Sequence, residues 1–247
     1  KTYAQLKKVF NNRHGITLFG SGHLSMYMGA GAVKSRMLVP ADFAGKKIRS
    51  MGPAENALLN SLGANPTTMA FGDVPPALQT GVIDGLLTSL AGFNVTKEQA
   101  PYFTVAGING IVGDYYWFGA SNKWWLKLSK KQQRIFTDIF INDFIPFQKA
   151  MNFCNDKRLV DKYKVTDKSK VGIYVMNPTE AAVLQKAEDG ATNNWIKTKV
   201  DAIGDKMVDQ FTAEAKALVI ANPLGSSALE KTDCTAYAAF FTKYDKK

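Results

Sequence analysis

Between residues 42 and 93 the pattern of apolar and polar positions changes period several times, and each change marks an element. Lys46–Ser50 sets Ile48 between basic neighbours after a turn at Gly45 and reads as a short strand. Leu58, Leu59 and Leu62 then fall on one helical face. Pro53 suits the first turn of that helix, where its missing N–H is not needed, and Gly63 suits the residue that closes it. Thr67–Phe71 is β-rich and reads as the next strand. Asp73 is placed to cap a helix Val74–Thr80, which Gly81 would end, and Val82–Ser89 reads as a third strand interrupted at Gly85. Alternating strands and helices with short connections predict an α/β fold, with a parallel sheet and right-handed crossovers.

The flanks are simpler. Lys1–Asn12 reads as a basic amphipathic helix and Gly15–Gly20 as a strand, followed by a glycine-rich stretch, Gly20–Gly31, that suits a hinge or crossover. Ser129–Tyr163 carries Ile135, Phe136, Ile139, Phe140 and Phe144 at helical spacing, with Pro146 as a kink or break. Asp161–Lys170 reads as a charged loop and Gly172–Met176 as a strand. Thr179 is expected to cap a helix Glu180–Lys197, and a further helix is expected near Val208–Ile220. Asn222–Ser227 has turn or linker composition, and Ala236–Tyr244 places Tyr237, Phe240, Phe241 and Tyr244 at helical spacing, as if to dock on a groove or a partner.

This layout puts Arg49, Phe71 and Thr88 at equivalent strand ends, and ligands of open α/β sheets bind at the carboxyl ends of strands. Taken singly, an arginine there is more often a salt-bridge residue, and Phe71 a core residue. Taken jointly, a cation, an aromatic wall and a hydroxyl point to an anion receptor.

Composition narrows the classes. A chain of 247 residues with 46% hydrophobic content can build a sizeable core. No apolar run approaches the roughly 20 residues of a membrane-spanning helix. The basic, helical start has no apolar signal-peptide core, so an exported protein would be present here as a mature or trimmed chain. The net charge of +10 invites a nucleic-acid reading. However, the lysines are dispersed and no nucleic-acid motif occurs. The strongest basic–aromatic patch, Asn122–Arg134 with Trp124 and Trp125, reads first as a solvated helix face anchored by its tryptophans. A positive field also suits a collector of anions. Two histidines, His14 and His23, do not make a metal site, and no G-x-S-x-G, P-loop or H-E-x-x-H motif occurs, so no enzyme, cofactor or metal is expected. Asp73 and Asp84 read as a helix cap and a turn residue. Cys154 and Cys234 are compatible either with a disulfide in an oxidising compartment, which would staple the tail to the long helix, or with free thiols.

The segment with Asp42, Gly45, Lys47, Arg49, Leu62-Gly63-Ala64, Pro66, Met69, Phe71, Asp73-Val74, Ala77-Leu78-Gln79, Gly81 and Ile83-Asp84-Gly85 resembles the DctP-like family, the periplasmic solute-binding subunits of tripartite ATP-independent periplasmic (TRAP) transporters. The resemblance continues more weakly through Ser121-Asn122-Lys123, Leu128-Ser129 and Gly172–Pro178, over roughly residues 1–215.

The resemblance implies a periplasmic-binding-protein-like (type II-like) sandwich of two α/β lobes with hinge strands and a long connecting helix. On that pattern residues 1–28 and 119–160 form the remainder of the first lobe with the connecting helix. Residues 29–118 form the second lobe with the anion site, and 161–247 the C-terminal strand, helices and tail. It implies a protein that closes on a small organic carboxylate held by Arg49 and delivers it to the membrane permease subunits, with Phe71 packed on the ligand and Pro53 and Thr88 near it. Tyr115 and Tyr116, with Trp117, are candidate aromatic partners, although a buried strand explains two of the three equally well. Sialic-acid-type members carry a second arginine where this chain has Met28-Gly29-Ala30-Gly31, and many members have Gln-Glu-Asn where it has Leu86-Leu87-Thr88. Both departures favour a smaller or more apolar acid. Some members hold a metal beside the ligand, and no residue set here demands one. The family's opening β-α-β-α-β stretch has no counterpart here, and three readings stay open: it is removed, it is supplied by another chain or segment, or it is never encoded. The alternative reading is a receptor fold repurposed as a structural or interaction module without transport.

Overall fold

The computed structural model describes residues 1–25, 27–106, 111–113, 115–221 and 231–244. It divides into two compact units, one of residues 1–24, 115–154 and 202–247, the other of residues 25–114 and 155–201.

The second of these carries a seven-stranded sheet. Its strands are β2 (Met28–Ala32), β3 (Lys47–Ser50), β4 (Asn65–Thr68), β5 (Gly85–Ser89), β6 (Tyr102–Val105), β8 (Lys164–Val165) and β9 (Gly172–Val175). The order is β4-β3-β5-β2-β6-β9-β8, and every adjacent pair is parallel except those made by β2, which runs against both β5 and β6. The sequence Met28-Gly29-Ala30-Gly31-Ala32 explains the central place of β2. A Cβ at Gly29 would stand 2.2 Å from the Thr104 carbonyl oxygen, so only a bare backbone fits between its neighbours.

Side chains alternate across a strand, and the core divides accordingly. On one face Ile48, Leu87, Ala30 and Ala32 pack with Phe43 of α2 (Pro40–Phe43), Leu58 and Leu59 of α3 (Pro53–Ser61), and Leu184 of α9 (Pro178–Glu188). On the other, Leu86 packs with Val74 and Leu78 of α4 (Val74–Gln79), and Phe103 and Val105 with Phe93 of α5 (Leu90–Thr96) and Leu159 of α8 (Ile145–Tyr163).

The other unit contains α1 (Thr2–His14), and β1 (Ile16–His23) paired antiparallel to β7 (Tyr115–Ser121). It also contains α6 (Asn122–Trp125), α7 (Lys130–Ile139), α11 (Ala202–Ala221) and α12 (Ala238–Tyr244). The β1–β7 register shifts between Leu18 and Gly20. Phe19, at the shift, is 7% exposed and centres an aromatic cluster with Trp125 at 4.8 Å and Phe136 at 4.9 Å. Cys154 and Cys234 form a disulfide, which fastens the 231–244 segment to α8.

Several expectations shift by a few residues for identifiable reasons. β4 ends at Thr68 rather than Phe71, because β3 ends at Ser50 and offers no partner beyond it; Phe71–Asp73 is a 3-10 turn. β5 starts at Gly85 because the N–H groups of Val82 and Ile83 are taken by the Ala77 carbonyl closing α4. Asp73 precedes α4 but makes no capping bond: a cap accepts from the second or third helical N–H, and here those residues are Pro75 and Pro76. Asn177, not Thr179, caps α9 and completes a capping box with Glu180. The expected helix 180–197 is two, broken at Asp189-Gly190 before α10 (Ala191–Lys197). The long helix is continuous from Lys130 to Tyr163 but widens to π geometry over Phe140–Phe144. That is where Pro146 cannot donate and its ring crowds the carbonyl four residues back. The glycine-rich stretch is strand β1 and strand β2, with the chain passing from one unit to the other between Leu24 and Ser25. The linker expected at Asn222–Ser227 lies outside the described residues.

Candidate functional site

Ile48 faces the α3 side of the sheet, so Arg49, the next residue, faces the other, as does Thr88 next to Leu87. The register pairs Arg49 with Leu86. Arg49 is only 5% exposed. Its Nε donates to the Met69 carbonyl at 3.2 Å and its Nη1 to the Leu87 carbonyl at 3.1 Å. These two bonds fix the plane of the guanidinium and leave donors of its five-donor fork uncommitted. Its central carbon lies 5.8 Å from the centroid of the Phe71 ring. Among the described residues no carboxylate forms an ion pair with Arg49. Burial pushes its pKa below the usual arginine value, and the Glu55 carboxylate partly opposes that shift.

Phe71 and Thr88 meet at Gly92, in the first turn of α5. A Cβ there would lie 2.0 Å from Thr88 Oγ1 and 3.2 Å from Phe71 Cε2. Ser89 caps this helix by accepting from the Gly92 N–H at 3.1 Å. Thr88 is 4% exposed, and its hydroxyl makes no hydrogen bond among the described residues. The structure therefore brings Arg49, Phe71 and Thr88 together on one side of one sheet. Gly92 is the member that sequence reasoning missed; a glycine three residues past a strand end was the available signal.

Pro53 is exposed in the first turn of α3, which follows β3 directly. Met51 N–H donates to Glu55 at 2.6 Å, and the positive end of the α3 dipole stands at the same strand end as Arg49. Behind it Ser50, Asn56 and Thr68 form a hydrogen-bonded triad, Ser50 Oγ to Asn56 Oδ1 at 2.5 Å and Asn56 Nδ2 to Thr68 Oγ1 at 3.1 Å. Tyr115 and Tyr116 belong to β7 of the other unit. Tyr116 is 43% exposed there, Trp117 stacks on Tyr3 at 6.1 Å, and the side chain of Tyr115 lies outside the described ones.

A second buried arginine shows what a structural role looks like. Arg36 is 6% exposed and donates to four backbone carbonyls, those of Phe103, Lys168, Lys170 and Gly172. It is also held over the rings of Tyr102 and Tyr174. Among the described residues no group of three or more His, Cys, Asp or Glu side chains could hold a metal ion, and no helix is long and apolar enough to cross a membrane.

The family model for DctP, the bacterial extracellular solute-binding proteins of family 7, matches residues 1–198. The chain belongs to the DctP family. That family consists of solute-binding proteins rather than enzymes. The C4-dicarboxylate-binding periplasmic protein DctP of Rhodobacter capsulatus is 48% identical over 91 residues, which cover 34% of this chain and 27% of that protein. Among solved structures, the ectoine-binding protein of the TeaABC TRAP transporter of Halomonas elongata is similar with a TM-score of 0.70 and 23% identity, covering 86% of this chain and 67% of that one. A TRAP periplasmic solute-binding protein of Desulfovibrio salexigens, solved with bound orotic acid, has a TM-score of 0.73 and 20% identity, covering 89% and 68%. The fold is thus that of the TRAP solute-binding proteins, and the chain spans about two thirds of these two structures.

Proposed function

We propose that this DctP-family chain binds a small organic carboxylate through Arg49, as the periplasmic solute-binding subunit of a TRAP transporter that hands its ligand to membrane permease subunits. The observation that supports this most directly is a buried guanidinium with no carboxylate partner among the described residues. Burying an unpaired charge is costly. Arg49 is held by two carbonyls, which orient it without neutralising it, and a ligand carboxylate would accept two parallel hydrogen bonds from its free donors.

In this reading Phe71 packs against the body of the acid, Thr88 offers a hydroxyl, and Pro53 borders the site at the positive end of α3. Leu86 and Leu87 are fully buried in the core on the two faces of β5 and set no polarity at the site; the aromatic wall of Phe71 favours a small or weakly polar acid over a heavily hydroxylated one. The relatives named for C4-dicarboxylate and orotic acid bind carboxylates, which agrees with the class.

A thermal-shift screen against mono- and dicarboxylates and 2-oxo acids tests this. A ligand at 100 times its dissociation constant stabilises the fold by about 2.7 kcal/mol. A shift present in the wild type and absent in Arg49→Ala supports the receptor. A folded chain that responds to no acid refutes binding by this chain and leaves the receptor fold as an assembly module.

A further inference from the structure

We infer that the α6–α7 corner is a membrane-surface contact that recognises anionic phospholipid. The inference is independent of Arg49. Trp125 is packed on Phe19 and Phe136, whereas Trp124 meets Phe136 edge-on at 6.0 Å and is 45% exposed. In the turn after α6, Leu126 is 73% exposed, more than any other large apolar side chain among the described residues.

The turn that presents these two side chains is braced. Gln133 donates from Nε2 to the Trp125 carbonyl at 2.9 Å and to the Leu128 carbonyl at 3.3 Å. Leu126 N–H donates to the Asn122 carbonyl at 2.9 Å, and a Ser129–Gln132 capping box starts α7.

Charge identifies the occupant. From Asn122 to Thr137 there are five cations, at 123, 127, 130, 131 and 134, and no acid. All five are exposed, and none makes an ion pair among the described residues. An exposed leucine and tryptophan in a segment with five exposed cations and no acid match the interface of an anionic bilayer. There the aromatic ring sits at headgroup level and each cation adds attraction.

The test is flotation of the full chain with vesicles of phosphatidylcholine alone or mixed with phosphatidylglycerol, at low salt. The expected result is recovery with the phosphatidylglycerol vesicles only. Reversing Lys127, Lys130 and Lys131 to Glu should lower partitioning by about fivefold or more per residue changed. Leu126→Ser should lower it at unchanged net charge. Reversing Lys186, Lys206 and Lys216 to Glu, all exposed elsewhere, should have a small effect. Equal recovery with both vesicle types, or equal losses from the two triple reversals, overturns the proposal. The thermal midpoint of each variant separates loss of binding from loss of folding.

Discussion

Arg49 and Leu87 are joined by a 3.1 Å hydrogen bond from the guanidinium Nη1 to the backbone carbonyl, which aims the cation across the end of β5 beside Thr88. The bond spends one donor on orientation and keeps others free. A lysine would keep the charge and lose both the fork and the two fixing bonds. Arg49→Lys should therefore weaken carboxylate binding by roughly a hundredfold, about 3 kcal/mol for two charge-assisted bonds, and should destabilise the unliganded chain less than loss of Arg36 does, since two carbonyls rather than four lose a donor. Isothermal titration with the acid found in the thermal-shift screen measures this; an affinity within threefold of wild type would place the carboxylate elsewhere.

Arg36 should behave in the opposite way. Its removal strands the carbonyls of Phe103, Lys168, Lys170 and Gly172, which now share one guanidinium. Arg36→Ala should lower stability by roughly 2–4 kcal/mol in chemical denaturation, since each unsatisfied buried group costs about 1–3 kcal/mol and water reaches some of them. The affinity of the folded fraction for its ligand should not change.

The contrast between these arginines marks what the chain alone discloses. Arg49 follows an apolar Ile48 in a short strand and precedes Pro53 and a leucine-faced helix, so local pattern placed it at a strand end. Thr88 was placed the same way. Arg36 lies in a stretch without periodicity, and its partners come from residues 103 to 172, a long-range arrangement with no local signature. The same limit explains Gly92: its importance is the 2.0 Å approach of the Thr88 hydroxyl to an absent Cβ, a contact between α5 and the strand before it. Element boundaries failed where a prolyl nitrogen or a competing carbonyl decided the issue, as at Asp73 and Val82. The disulfide stayed open because two cysteines 80 residues apart carry no geometry until the tail is folded.

Gly92→Ala probes that close approach. The added methyl must displace Thr88 or Phe71, and overpacking of this kind costs about 1–3 kcal/mol. The variant should melt lower than wild type and bind the ligand more weakly, because both side chains border Arg49. Gly72→Ala, where a Cβ meets nothing within 4 Å, is the matched control and should leave both properties nearly unchanged.

Glu188 gives stability a pH dependence. Its Oε2 is buried against α3 with no hydrogen-bond partner among the described residues, and burial raises its pKa from 4.5 to about 7. The neutral form is favoured in the fold, and the unfolded chain ionises near 4.5. The fold therefore binds more protons than the unfolded chain between these values. Stability from this group is complete below about pH 4.5, falls as pH rises toward 7, and is level above it. Glu188→Gln removes the ionisation and keeps the shape. At pH 8 the variant should be more stable than wild type by roughly 1–3 kcal/mol, and at pH 4.5 nearly equal to it. Urea melts at the two pH values decide the matter: a gain of the same size at both would mean that the amide finds a partner the carboxyl lacks, and that protonation is not the cause.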